Sequence, residues 1–191
     1  TLSMLSIIIC GCNPPAQPVA EPTVTSGEPA EESPTEPAEE SSSFEIPSAK
    51  KIDSSLKTKV DEEIEIITTS SDDDEKSNAL DELNKICEEN PSNFALFAYL
   101  MQNPESDIAH TGLDALKDCY VGEMSEEQKE EEFEILSSAL NHPVDSVREA
   151  IITPMIFVSD TDERKEKEKE VLREKLDDPS SHVRVSVIQR L

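Results

Sequence analysis

Tryptophan is absent from this chain, and tyrosine and phenylalanine bring the aromatic share to only 4%. A core must therefore be built from aliphatic side chains. Glycine occurs four times, which leaves no glycine-rich loop to cradle a phosphate. The four cysteines are Cys10, Cys12, Cys87 and Cys119. They form no C-x-x-C pair and no Cys/His cluster, so no zinc spacing is present. Basic residues are scarce: 17 Lys and Arg face 43 Asp and Glu, for a net charge of −26. That balance excludes the usual nucleic-acid binder, whose affinity comes from Lys and Arg on phosphates, and argues against an anionic lipid surface. A solvated acidic surface is the ordinary consequence. No long apolar run exists either. Leu2 to Ile9 is mostly apolar but far too short to span a bilayer as a helix.

What is present divides into three parts. The first, residues 1–12, has the length of a signal-peptide apolar region. It lacks a basic start and an initiating Met, and is expected to be the end of a longer signal segment. The second, residues 13–52, is rich in Pro, Glu, Ser and Thr. Asn13 to Ala49 holds eight prolines and eight glutamates, with no Lys, Arg or Asp. With few large apolar residues to offset the entropy of ordering, it is expected to be a disordered acidic linker. The third, residues 53–191, carries apolar residues at helical spacing: Leu56, Val60, Ile64 and Ile67, then Leu80, Leu83, Ile86 and Cys87. Between them lies Asp72-Asp73-Asp74-Glu75, expected as an acidic loop. It is not a calcium loop, since the sixth-position Gly is missing and Leu83 stands where a bidentate Glu belongs. Cys87 and Cys119 fall on apolar helix faces, as small buried hydrophobes rather than a disulfide.

Within the third part a pattern recurs. "NPESDIAHTGLDAL" from Asn103, "HPVDSVREAIITPM" from His142 and "DPSSHVRVSVIQRL" from Asp178 each have Pro second and an aliphatic residue four later. These are Pro104/Ile108, Pro143/Val147 and Pro179/Val183. In the last two copies Arg follows at once, as Arg148 and Arg184. The prolines are 39 and 36 residues apart by position, a period typical of stacked helix pairs. Proline is expected in the first turn of each second helix, discouraging the preceding helix from continuing. Before the corners, Phe94, Phe97, Leu100 and Met101 share a face, as do Phe133, Leu136 and Leu140, and Val171, Leu172 and Leu176. Capping boxes are expected at Ser125–Gln128 and Asp160–Glu163, a helix stop at Gly122, and a kink at Pro154. The run "DERKEKEKE" reads as a solvated helix face.

Two resemblances follow from these residues. Ile9-Cys10-Gly11-Cys12 resembles a bacterial lipobox, which implies that Cys12 is lipidated and that the protein sits in the cell envelope on a lipid anchor. The repeated corner resembles HEAT repeats, best in Asp178-Pro179 with Val183-Arg184 and Val187, Ile188 and Leu191. It implies an all-α fold, a short α-solenoid of helix pairs. In that family the corner Asp and helix Arg form a ladder between neighbouring repeats, which assigns inter-repeat polar contacts to Asp178, Arg184 and Arg148. His142 replaces the Asp in the middle copy; Asn103 and Ala109 replace both residues in the first. The last helix ends apolar at Leu191, so the array is expected to continue.

No catalytic set stands out. His110, His142 and His182 each lie near a corner, and corners one helix diameter apart, about 10 Å, cannot share one metal ion. No metal and no cofactor is implied. The expectation is a non-enzymatic, lipid-anchored scaffold that binds another protein. The alternatives are an enzyme accessory of the bilin-lyase type, which some HEAT-like proteins resemble, and a cytoplasmic HEAT scaffold if the lipobox match is coincidental.

Overall fold

Asp53 starts the first helix: its carboxylate accepts from the backbone N–H groups of Ser55 (2.9 Å) and Leu56 (3.3 Å), satisfying donors that a helix start leaves open. The computed structural model describes residues 44–119 and 124–191, and from Asp53 onward they are almost entirely helical: α1 (Ser54–Thr69), α2 (Asp73–Glu89), α3 (Phe94–Met101), α4 (Ser106–Asp118), α5 (Glu126–Ala139), α6 (Asp145–Ile152), α7 (Met155–Val158), α8 (Asp162–Glu174) and α9 (Ser181–Arg190), with no strand among the described residues. Cys10, Cys12, the linker up to residue 43 and Gly122 lie outside them. The described residues belong to one unit, Ser41–Leu191.

The expected pairs form, with α1 against α2, α3 against α4 and α5 against α6. The second helices also pack in succession: α4 touches α2 and α6, and α6 touches α9. Their faces are those the periodicity marked. Val60, Leu83, Phe97, Leu100, Leu136, Val147 and Val183 are all buried, while Leu176, expected on the apolar face of α8, lies beyond its end in a 3-10 turn and is exposed.

Several local expectations are corrected. The acid run is not a loop. Asp72 caps α2, accepting from Asp74 and Glu75 N–H, and Asp73, Asp74 and Glu75 fill its first turn, where the helix dipole favours negative charge. Ser125 and Gln128 do form the reciprocal capping box. The second box shifts by one: Thr161 caps α8 by accepting from Arg164 N–H, which frees Asp160 to pair with Lys129 and Arg164. Pro154 does more than kink a helix, because α6 ends at Ile152 and α7 begins at Met155.

The linker expectation fails at its end. Residues 44–52 are ordered: Pro47–Lys51 is a 3-10 turn against α3 and α5, with Ile46 and Ala49 buried. The reason lies in α3. Phe94, Leu96, Phe97, Ala98, Leu100 and Met101 are all buried, so this helix is apolar all round and needs cover on more than one side. Helix α4 and α5 supply part of that cover and the 44–52 strap supplies the rest. Ser48 and Lys51 then reach Glu131 on α5, at 3.3 and 2.9 Å.

Candidate functional site

The three proline corners share one geometry, though not the one expected. Each proline precedes its helix instead of entering the first turn: Glu105, Val144 and Ser180 are the N-cap residues of α4, α6 and α9, and Pro104, Pro143 and Pro179 stand one before them. None of these N-cap residues caps with its own side chain. The residue before proline acts instead. Asn103 Oδ1 accepts from Glu105 N–H at 2.9 Å, His142 Nδ1 from Val144 N–H at 3.1 Å, and Asp178 Oδ1 from Ser180 N–H at 2.9 Å. Three different residue types thus do the same work. The apparent departures at Asn103 and His142 preserve the corner, because each has an acceptor at the right reach. The aliphatic residue four beyond the proline, Ile108, Val147 or Val183, is fully buried in every copy.

Corners are linked to one another. His142 Nδ1 is occupied by an N–H donor, so Nε2 carries the proton and donates to Asn103 O at 2.9 Å. Burial, with the charges of Arg148 and His110 nearby, holds the His142 imidazole below its ordinary pKa. Phe44 from the strap sits edge-on to the same ring, with centroids 5.3 Å apart. The next link is Arg148. Its Nη1 donates to His142 O and Pro143 O at 2.8 and 3.0 Å, while Nε and Nη2 donate to the two oxygens of Asp178, both at 2.9 Å. Both residues are buried. Burial alone would raise the Asp178 carboxyl, but the Arg148 fork and the Ser180 N–H hold it below the usual carboxylate range. Arg184 repeats half of this arrangement, with Nη1 donating to Asp178 O and to Pro179 O at 2.6 and 3.0 Å. Arg148 and Asp178 thus link two successive corners, whereas Arg184 contacts only the carbonyls of its own corner.

The charged run of α8 is not merely solvated. Arg164 and Glu168 are buried and share a stripe, at spacing four, with Leu172. Arg164 pairs with Asp160, and with Glu126 and Glu130 of α5 at 2.9 and 3.7 Å. Glu168 accepts a bidentate fork from Arg190 of α9, at 2.6 and 2.9 Å. Asp160, held by Lys129 and then Arg164, is lowered to about 2. The i, i+4 alignment with an apolar residue was the signal that could have revealed this stripe.

A cavity of about 630 Å³ is lined by Cys87 of α2, Phe97 of α3, Ala115 of α4 and Cys119 just beyond it, with the exposed Glu88 and Asp118 also in its wall. Ser92 in its wall adopts φ 64°. Both thiols are free. Burial, with the Glu88 charge, pushes Cys87 up to about 12, and burial raises Cys119. Neither is a thiolate at neutral pH, and the thiolate is the form that attacks or binds metal. Cys119 is half-buried rather than buried. Among the described residues no group of three or more His, Cys, Asp or Glu is placed to hold a metal ion, and no helix is long and apolar enough to cross a membrane. No family model, curated protein or solved structure matches the chain.

Proposed function

We propose that this chain is a lipid-anchored scaffold of a bacterial envelope: Cys12 carries the anchor, an acidic linker follows, and a short α-solenoid of HEAT-like helix pairs binds another protein. The observation that carries the reading is the corner-to-corner link, with Arg148 clamped by two carbonyls of its own corner while its fork holds Asp178 of the next. Polar side chains spent on joining successive helix pairs suit a stacked array. Such arrays work by presenting extended surfaces to partners. Anchoring rests on the sequence. Gly11 is the small residue required before a modified cysteine, and it precedes Cys12, whereas Cys10 follows the bulky Ile9.

The test is acylation. The chain is expressed in bacteria behind an intact lipoprotein leader and labelled with a fatty-acid analogue. Label and membrane partition should persist in Cys10→Ala and vanish in Cys12→Ala. A Cys12→Ala protein that labels like the parent would refute the anchor. An unlabelled, soluble parent would instead favour the cytoplasmic scaffold.

A further inference from the structure

The cavity beside the two thiols is divided by polarity. Cys87, Pro91, Phe97, Ala115 and Cys119 give it an apolar, soft lining, while its charged residues, Glu88, Asp114 and Asp118, are all acidic. Among the described residues no Lys, Arg or His lies in its wall. The neighbouring cations are engaged: Lys85 pairs with Glu82 at 3.0 Å, and Lys117 with Asp114 at 2.9 Å. Glu88 on α2 and Asp118 on α4 are therefore left without an ion-pair partner among the described residues. Their charges reach the lining. After burial, Glu88 is what raises the Cys87 thiol, and Glu132 and Asp118 add to the rise at Cys119. The space between α2 and α4 is thus apolar in its lining and negative in its field.

We propose that this cavity binds a small organic cation, an amine with an aromatic or alicyclic body. The ammonium group goes to the carboxylates of Glu88 and Asp118, and the body lies against Ala115, Phe97 and the two thiols. Size favours a small molecule over a single basic side chain from another protein. At about 630 Å³ the cavity falls in the range of small-molecule sites, roughly 300–1,000 Å³, and one lysine would leave most of it empty. Charge excludes anions, which would meet three carboxylates and no cation. A divalent metal ion is excluded too, because the acids of α2 and α4 do not converge on one point among the described residues. The thiols take part by contact alone. Sulfur packs well against aromatic edges, and a neutral thiol does not attack. Neither the Cys12 anchor nor the stacking of helix pairs enters this assignment.

The absence of Trp supplies the assay. An indole excited beyond the absorption of tyrosine reports on itself alone. Tryptamine, an ammonium ion at neutral pH like the lysine side chain, is titrated with the full chain. Its fluorescence should change saturably, at micromolar to low-millimolar concentration, as suits so small a ligand. Indole-3-propionate, with the same ring and the opposite charge, should bind at least about tenfold more weakly. Glu88→Gln and Asp118→Asn should each weaken tryptamine about two- to fivefold, the usual effect of one exposed charge pair. Glu88→Lys should remove binding. That position lies in the last turn of α2, where a cation suits the helix dipole, so the variant keeps its fold. It changes a net charge of −26 by only two, so general attraction of cations survives in it. Bound tryptamine should also slow alkylation of Cys119 by N-ethylmaleimide severalfold, read by peptide mass. Four results would overturn the proposal: no saturation of tryptamine, equal binding of the two indoles, unchanged binding in Glu88→Lys, or a Cys119 that alkylates as fast with saturating tryptamine as without it. The last would move the bound amine to another part of the acidic surface.

Discussion

His142 shows how much one residue at a corner can hold. Its two ring nitrogens have opposite duties: Nδ1 accepts from Val144 and Nε2 donates to Asn103. A second proton on Nδ1 would face the Val144 N–H, so the folded state resists protonation. The folded pKa is depressed, and the sign follows. Above about pH 6.5, the ordinary histidine value, both states are neutral and stability is full. As pH falls below that value the unfolded chain gains a proton that the folded chain refuses, and stability drops until the folded pKa is reached. The slope approaches at most about 1.4 kcal/mol per pH unit for one such group. Urea unfolding between pH 7 and pH 5 should show this decline, and His142→Gln should flatten it. The carboxylates with lowered values, Asp178 and Asp160 among them, lose their contribution only at lower pH. An unchanged slope in His142→Gln would mean that the ring is free to charge. None of this was legible from sequence, where His142 counted as a lost Asp; equivalence there depends on acceptor position, and residue letters do not encode it.

At the scale of elements, periodicity located α1 to α6 and the faces they bury, because apolar spacing near 3.6 is set by helix geometry alone. It missed the 44–52 strap, which has no period. Only the all-round apolarity of "FALFAYLM" hinted that α3 needed further cover. It also missed the backbone crossing of α3 and α4. A Cβ on Gly112 would lie 2.7 Å from Phe97 O, 2.8 Å from Leu100 Cβ and 2.9 Å from Met101 N. Two of these are backbone atoms, so the helices would have to part. Gly112→Ala should therefore destabilise by about 1–3 kcal/mol, despite the better helix propensity of alanine; a stabilised variant by thermal melting would contradict this. Val147 is fully buried, and Val147→Asp strands a charge, costing about 3 kcal/mol or more. Spacing alone places Glu149 on the opposite, solvent side of α6. It is instead half-buried and accepts from Ser186 of α9 at 3.3 Å, so Glu149→Lys should cost a measurable amount, though much less than Val147→Asp. Equal effects from the two would put the phase of α6 in error.

At the scale of the whole molecule, the all-helical class was legible from composition and spacing, while the links between helix pairs depend on contacts between residues 30 or more apart, such as Arg148 and Asp178. The corner link joins the last helix pair to the one before. If successive pairs are joined this way, Arg148 and Asp178 act as one unit. A double-mutant cycle with Arg148→Met, Asp178→Asn and the double variant, read by chemical denaturation, tests that directly. Arg148→Met alone should cost about 3–5 kcal/mol, since it leaves a buried carboxylate without its partner. The double variant should fall short of the summed single costs by at least about 1 kcal/mol, the coupling expected of residues in one buried network. Single effects that add to within about 0.5 kcal/mol, as those of independent sites do, would contradict a corner that holds two helix pairs together.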